Sequence, residues 1–281
     1  MTDLLGTCLA WADGLVAVRT AAGETVEIPV GDIVSGKPVP PRPSVRHRVS
    51  AAEAEAHTAD LAEELETASV GAWTLRSEPR PAGRLRRRVN SALALTDPGG
   101  SVVEAAAAVQ AFYAARGRPA RIQVERDGAV ELALRDLGWR VDPSGDADFL
   151  LASAAQVRRR LPRALPPADL VTGERQGRAA IRAGDAVIAQ GAAVLTGSGG
   201  DWIGLHALEV DPEHRRRGWA TAVVAALLEW GAERGATTAW LHVETANSAA
   251  LALYGGLGFG VHHGVRYLEA PDAGPADAAT R

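Results

Sequence analysis

The sequence predicts an α/β (α+β) protein in which a small N-terminal β-barrel precedes two related units of mixed sheet and helix. Short alternating runs with hairpin turns come first, and a proline-rich stretch then interrupts the chain. A weak internal repeat occupies most of the remainder, at an offset of 114 to 120 residues. Because apolar runs alternate with helical stretches in both copies, each copy predicts the order strand, helix, strand, helix, strand.

Residues 1–48 predict a small β-barrel or a curled meander, followed by a linker. The run ETVEIPV, residues 24–30, alternates apolar and polar side chains, as a half-buried strand does. Asp13-Gly14 and Ala22-Gly23 stand where hairpin turns are needed. The stretch PVPPRPS, residues 38–44, favours an extended linker, so we place a domain boundary near residue 48.

The repeat divides the remaining chain into a first copy, residues 49–160, and a second copy, residues 161–270. The first copy begins with a helix capped by Ser50 in a capping-box arrangement. SALALTDP, AARGRPARIQV and LALRDLGW of the first copy resemble LHALEVDP, AERGATTAWLHV and LALYGGLGF of the second. The offset grows at one loop, where HRRRGWA replaces GGS, so the first copy is predicted to be degenerate. Residues 271–281 are predicted to be a disordered tail.

Composition excludes several classes of function. A net charge of −4 argues against a general nucleic-acid-binding protein. The single cysteine, Cys8, cannot form an intrachain disulfide and fits a reducing compartment. Without an apolar run of about 18 residues or a leader segment, the chain is expected to be cytoplasmic, with no membrane contact. We interpret the arginine triplets, Arg86 to Arg88 and Arg158 to Arg160, as solvated faces.

One segment of about 50 residues, from Glu209 to Phe259, resembles the GNAT superfamily of acetyl-CoA-dependent acyltransferases. Arg215-Arg216-Arg217-Gly218-Trp219-Ala220 matches the family's acyl-CoA-binding signature of Arg or Gln, two residues, Gly, one residue, and Gly or Ala. Asn247, Ala250 and Tyr254 follow in the family's order, the last within an ending similar to Tyr-x-x-x-Gly-Phe. The whole arrangement also resembles two-domain actinobacterial GNAT proteins with an SH3-like N-terminal module.

The resemblance implies that acetyl-CoA is the cosubstrate and that no metal is needed. The first-turn N–H groups of a helix lack intrahelical partners and can bind a pyrophosphate, and Gly218 permits its close approach. Arg215 and Arg217 can add charge-assisted bonds, and backbone donors of the central strand would polarise the thioester carbonyl. The expected coenzyme-binding residues are Leu208, Glu209, Val210, Arg215, Arg216, Arg217, Gly218, Trp219, Ala220, Thr221, Asn247 and Tyr254.

Two of these residues have structural alternatives. Asn247 can hold the pantetheine arm, as the resemblance implies, or cap the helix that starts at SAALALY. The resemblance makes Tyr254 the acid that protonates the departing thiolate, and the alternative is a tyrosine with only a packing role.

The sequence indicates less clearly which residue is the base that would remove a proton from the acceptor amine. Strict alternation along WIGLHALEV places Gly204, His206, Leu208 and Val210 on one face and Leu205, Ala207 and Glu209 on the other. The glutamate that the family often carries on this strand falls near Gly204, which has no side chain. His206, expected to titrate near neutrality, is the first candidate, Glu209 is the second, and deprotonation through water is an alternative.

Histidines elsewhere could contribute to the acceptor side. His242 and the pair His262-His263 could line it, or they could be structural residues. Two other classes of function stay open, namely a coenzyme-binding sensor without catalysis and a protein-interaction module that uses the N-terminal barrel. The acceptor could be a small-molecule or peptide amine, and the sequence does not indicate the oligomeric state.

Overall fold

The computed structural model describes residues 4, 6–20, 23–36, 48–62, 64–81, 83, 85–143 and 145–271. The chain divides into two compact units, Met1–Pro43 and Ser44–Arg281. The predicted boundary at residue 48 is therefore close to the division. The predicted linker at 38–44 and nearly all of the predicted tail lie outside the described residues.

The first unit contains an antiparallel sheet of three strands: β1 (Gly6–Ala12), β2 (Leu15–Thr20) and β3 (Thr25–Pro29). Asp13 and Gly14 join β1 to β2 with φ angles of 52° and 76°, which confirms the first predicted turn. Gly23 lies in the connection from β2 to β3, whereas Ala22 is outside the described residues. The described part of this unit is an open meander, the second of the two predicted alternatives, and not a closed barrel, because three strands leave two edges unpaired.

The second unit begins with the predicted capping box. The Ser50 hydroxyl accepts from the Glu53 backbone N–H at 3.2 Å, and the Glu53 carboxylate accepts from the Ser50 N–H at 2.9 Å. Helix α1 (Ala51–Ala56) is shorter than expected and continues as a 3-10 turn, His57–Leu61. The Thr58 hydroxyl donates to the Glu55 carbonyl at 2.6 Å, a side-chain contact that competes with regular helix.

We call residues 48–160 the first half and residues 161–271 the second half of this unit. After α1, the first half contains β4 (Glu66–Val70), β5 (Trp73–Ser77), a 3-10 turn (Arg87–Val89), β6 (Ala92–Leu93), α2 (Val102–Ala114), β7 (Arg121–Glu125), α3 (Ala129–Asp136), β8 (Arg140–Val141), β9 (Ala147–Ser153) and α4 (Ala154–Arg160).

The second half consists of β10 (Asp169–Thr172), β11 (Gln176–Ala183), β12 (Ala186–Thr196), β13 (Trp202–Val210), a 3-10 turn (Pro212–His214), α5 (Trp219–Glu233), β14 (Thr238–Glu244), α6 (Ser248–Leu257) and β15 (Gly260–Glu269). In both halves a strand, a helix and a parallel strand follow one another, since β6 pairs with β7 and β13 with β14.

Both halves contribute to one mixed sheet of 12 strands. Its order is β10-β11-β12-β13-β14-β9-β15-β7-β6-β5-β4, with β8 also paired to β15. Strand β9 of the first half lies between β14 and β15 of the second, and β15 pairs in turn with β7 and β8. Each half therefore supplies a strand that the other needs, and the division into two domains at residue 160 stays a prediction.

The central strands β13 and β14 have two buried faces. Ile203, Leu205, Ala239 and Leu241 belong to a core with residues of α5 and α6, and we call this side the helix face. Trp202 and Trp240 belong to a separate cluster with Phe149 of β9 and Ala54 of α1, and we call this side the tryptophan face.

Candidate active site

A β-bulge in β13 changes which side chains share a face. The register pairs Ala192 with His206 but Gln190 with Glu209, so β13 has one more residue than β12 between these pairs. The extra residue is Ala207, whose φ is 51°.

Beyond the bulge, Leu208 and Val210 pack against the core of the helix face. The prediction of strict alternation is therefore wrong after residue 206, because alternation restarts one residue later. His206 and Glu209 share the tryptophan face, although the sequence placed them on opposite sides.

Strands β13 and β14 separate beyond the C-terminal end of their parallel pairing, and a gap opens between them. The two strands pair only from Trp202 with Thr238 to Gly204 with Trp240. Farther along, β13 stays paired with β12 while β14 stays paired with β9 up to Glu244. In the described part of the chain, the facing edges of β13 and β14 have no strand partner beyond Gly204, so their backbone groups are accessible to a ligand.

The loop after β13 leads into α5 without a side-chain cap. Gly218 is the N-cap residue, with φ of 82° in the left-handed region and no side-chain hydrogen bond to the first turn. The N–H groups of this turn therefore have no side-chain acceptor within the described residues. Arg216 also has a positive φ, of 60°, so left-handed and right-handed residues alternate along this loop. A backbone of this kind can direct successive N–H groups towards one anion.

The three arginines of this loop are exposed. The Nε of Arg215 donates to the Val210 carbonyl at 3.3 Å, which attaches the loop to the end of β13. Arg216 and Arg217 form no hydrogen bond or ion pair with the residues that the structure describes. Two positive charges beside an uncapped helix N-terminus make a binding site for an anionic group.

The corresponding helix of the first half is capped by its own side chain. Ser101 precedes α2, and its hydroxyl accepts from the Glu104 backbone N–H at 3.4 Å. No arginine stands in the GGS sequence before this helix. The two helix N-termini therefore differ in both charge and accessibility.

Tyr254 lies on α6 and is only 6% exposed. Its ring packs edge-on against Phe259 with 5.4 Å between ring centroids, within the core of the helix face. Its hydroxyl has no hydrogen-bond partner in the described part of the chain. Burial raises the pKa of Tyr254 to about 12, so the hydroxyl stays protonated at neutral pH and can donate.

Asn247 is the N-cap of α6. Its Oδ1 accepts from the Ala250 N–H at 3.1 Å, so the structure confirms the capping alternative. Asn247 is exposed, and its amide N–H₂ has no partner among the described residues. A contact of this amide with a coenzyme stays a prediction.

His206 stands on the tryptophan face, two residues beyond the end of the parallel pairing. Burial, together with the positive charges of Arg88, Arg178 and Arg86, lowers the pKa of His206 to about 4. The expectation that His206 titrates near neutrality is therefore wrong, because burial, and after it the charge of nearby arginines, disfavours the protonated ring. His206 is neutral at pH 7 and is a weak proton acceptor.

Gly204 stands where the family often carries a glutamate, so the site has no carboxylate at this position. A Cβ placed on Gly204 would lie 2.4 Å from the Trp240 ring, so the indole occupies that space. Glu209, the second candidate base, is exposed and accepts from Gln190 Nε2 at 3.1 Å.

His242 occupies a buried cluster that the sequence only partly indicated. Its Nε2 lies 2.5 Å from a carboxylate oxygen of Glu55, and His263 Nε2 lies 3.4 Å from the same oxygen. His262 Nδ1 is 2.7 Å from His263 Nδ1. Burial alone would raise the pKa of Glu55, but the contacts with His242 and His263 together outweigh burial and hold that pKa well below its usual range.

Sequence reasoning missed Glu55 and misjudged Arg88. Glu55 lies on α1, and nothing in the sequence indicates that α1 covers β14. Arg88 was interpreted as solvated, yet it is partly buried and its Nε is enclosed without a hydrogen-bond partner in the described part of the chain. Arg158, in contrast, lies at the surface, 3.7 Å from Glu229, as expected.

The described residues contain no helix that is both long and apolar enough to cross a membrane. They also contain no group of three or more potential metal ligands among His, Cys, Asp and Glu.

Comparisons with known proteins define the class. A GCN5-related N-acetyltransferase from Kribbella flavida superposes with a TM-score of 0.63 over 81% of this chain and 98% of its own, at 17% identity. A tandem GNAT protein from the clavulanic acid biosynthesis pathway gives a TM-score of 0.52 over 73% and 80%, at 15% identity. The fold is that of the GNAT acyltransferases, which use acetyl-CoA.

Residues 51–268 match the family model described as probable histone acetyltransferase Rv0428c C-terminal, and the chain belongs to this family. It is 29% identical to the probable histone acetyltransferase Rv0428c of Mycobacterium tuberculosis, over 98% of this chain and 91% of the relative. A shorter match, 42% identical over 52 residues, is to the [ribosomal protein bS18]-alanine N-acetyltransferase of Escherichia coli strain K12.

That shorter match covers 18% of this chain and 35% of the relative, so the chain spans about a third of that enzyme's length. The family and the fold together show that the protein is a GNAT-type acyltransferase.

The low pKa of His206 predicts a specific loss of stability in acid. The unfolded chain binds a proton at this histidine below its ordinary pKa of 6.5, whereas the folded chain binds it only near pH 4. Stability therefore falls as the pH falls through this window. Replacing His206 with Gln should remove about 2.5 kcal/mol of the loss between pH 7 and pH 4.5.

Urea unfolding of both proteins at the two pH values measures this difference. The comparison at pH 7 isolates any packing effect of the substitution. An equal loss in both proteins would show that the pKa of His206 is not lowered by folding.

Proposed function

We propose that the second half transfers an acetyl group from acetyl-CoA to a primary amine, by direct attack of the amine in a ternary complex. The observation that carries this proposal is the uncapped N-terminus of α5, flanked by Arg216 and Arg217, beside the gap between β13 and β14. An anion site and an open strand edge are the two features that a nucleotide thioester with an extended arm requires.

The residues present fit the coenzyme. The first-turn N–H groups of Trp219, Ala220 and Thr221 would bind the pyrophosphate, with Arg216 and Arg217 adding charge. The free edge of β13 around Leu208 to Val210 would hold the pantetheine arm, and Asn247 would donate its amide to it. Acetyl-CoA supplies the activated acyl group, and the backbone donors of β13 would stabilise negative charge on its carbonyl oxygen.

Tyr254 would donate a hydrogen bond to the leaving thiolate. Its pKa of about 12 lies well above the value of about 8.5 for an ordinary thiol. Complete proton transfer to sulfur is therefore uphill, and the hydroxyl acts chiefly as a hydrogen-bond donor that stabilises developing charge.

Neither candidate base is a strong proton acceptor beside the gap. His206 is a weak acceptor, and Glu209 is exposed at the strand end. We infer that the amine loses its proton to water or through His206, and that the positive charge around His206 assists by disfavouring the ammonium form.

A coenzyme-binding sensor without catalysis is the alternative, and it predicts binding without turnover. The direct test is purified protein with acetyl-CoA and a panel of amines, followed by release of free thiol. Acetyl-CoA-dependent thiol release that requires an amine supports the proposal. Binding of acetyl-CoA with no release for any amine contradicts it.

Gly218→Val should abolish acetyl-CoA binding. The left-handed φ of Gly218 is unfavourable for a β-branched residue, so the loop must rearrange where the pyrophosphate would bind. Gly235→Val is the matched control, because Gly235 has a φ of 93° just beyond the other end of α5 and has equally open surroundings. We expect at least about a 30-fold loss of affinity in Gly218→Val only, measured by calorimetry.

Both valine variants should lose similar thermal stability, because the backbone strain is similar at the two positions. Equal acetyl-CoA affinity in the two variants would place the coenzyme elsewhere.

Tyr254→Phe should lower kcat by at least about tenfold and leave acetyl-CoA affinity unchanged, because the hydroxyl interacts mainly with charge that develops in the transition state. Tyr267→Phe is the control, since Tyr267 is also buried but its hydroxyl contacts Gln123 Oε1 at 3.3 Å. Steady-state kinetics with one accepted amine measures both variants. Full turnover by Tyr254→Phe would assign this residue a packing role.

A further inference from the structure

One line of side chains crosses three strands on the tryptophan face. The register places Arg178 of β11 opposite Ala192 of β12, and Ala192 opposite His206 of β13. Neighbouring strands lie about 4.8 Å apart, so the Cα atoms of Arg178 and His206 are about 10 Å apart with only a methyl side chain between them. Ala192 therefore places no bulky side chain between Arg178 and His206, whereas the space at Gly204 is filled by the Trp240 indole.

Arg88 of the first half is a second arginine whose charge acts on His206. It lies in the 3-10 turn Arg87–Val89 and is close enough to lower the pKa of both His206 and His242. Its Nε is buried, and no hydrogen bond or ion pair joins its guanidinium to a residue that the structure describes. An enclosed guanidinium donor without an acceptor is costly, which makes it a place for a ligand anion.

Other charged groups around this position form no ion pair with Arg88 in the described part of the chain. Arg86 is paired with Glu78, and Arg76 is hydrogen-bonded to Thr58 and Gln123. Glu55 is the acid of this region, and it contacts His242 and His263. Glu209 shares the face of His206 but lies three residues farther along β13, where it contacts Gln190.

We propose that Arg88 and Arg178 bind a carboxylate of the acceptor, so that the acceptor is a small aminocarboxylate whose amine lies beside His206. This inference rests on the proposed function and adds the class of substrate. Two guanidinium groups match a carboxylate through bidentate, charge-assisted bonds. A lysine-rich chain would instead bring several cations against uncompensated arginines, which is unfavourable.

The site also explains how an amine can react without a strong base. The arginines that disfavour protonated His206 disfavour an ammonium group at the same place, so the bound amine is more readily neutral. The carboxylate remains bound to the arginines while the amine loses its proton and attacks.

The test uses matched acceptors and the full chain. Glycine, β-alanine and γ-aminobutyrate are compared with their carboxamides, which have the same amine and no negative charge. A carboxamide lowers the basicity of a nearby amine relative to a carboxylate, so unassisted reactivity favours the amides. We expect the protein to prefer a carboxylate over its own amide by at least about tenfold in kcat/KM.

Arg88→Gln should raise KM for the carboxylate by at least about tenfold and leave KM for the amide and the affinity for acetyl-CoA unchanged. Arg178→Gln, at an exposed position, tests the same site if Arg88→Gln does not fold. Arg182→Gln is the control, because Arg182 is exposed on the same strand and donates to the Asp185 carbonyl at 3.2 Å. Equal use of acids and amides, or an unchanged KM in both test variants, would overturn the proposal.

A binding measurement separates this inference from the proposed function. N-acetyl-β-alanine and N-acetyl-β-alaninamide, the product pair, are titrated while the ring resonances of His206 are followed by NMR. We expect saturable shifts with the acid, none with the amide, and loss of the response in Arg88→Gln. No response to the acid would overturn the anion site even if amines are acetylated, whereas a response without turnover would contradict only the proposed reaction.

Discussion

The separation of β13 from β14 is the constraint on which the site depends. Two adjacent parallel strands would normally pair along their length, but here pairing stops after Gly204 and Trp240. The bulge at Ala207 turns β13 towards β12, while β9 pairs with β14 as far as Glu244. Since each diverging strand retains a partner on its other side, the gap can persist without unfolding either strand.

The two halves differ at the helix N-terminus that follows the central strand, yet each half depends on strands of the other. The first half has a cavity of about 150 Å³ beyond the β6–β7 pairing, at the place that corresponds to the gap in the second half. Its helix α2 is nevertheless capped by Ser101, and it has no arginine loop. What the first half supplies is β9, Glu55 and Arg88, so it completes the second half without repeating the anion site.

The features that sequence could predict are local ones. The capping box at Ser50, the turn at Asp13-Gly14 and the N-cap role of Asn247 each follow from short-range rules, and each is seen. A bulge adds one residue that no alternation pattern indicates, so the faces of Leu208, Glu209 and Val210 were assigned wrongly.

Features that depend on distant chain segments were beyond sequence reasoning. The lowered pKa of His206 depends first on its burial and then on Arg88 and Arg178, which are 118 and 28 positions earlier in the chain. The insertion of β9 between β14 and β15 likewise requires long-range pairing, which periodicity cannot show.

The central claim is that the chain has one coenzyme site, built at α5. Isothermal titration of the full chain with acetyl-CoA measures it most directly through the stoichiometry. The account predicts one site per chain, because the first turn of α2 is capped and lacks positive charge while that of α5 is open. Two sites per chain, or no binding, would contradict it.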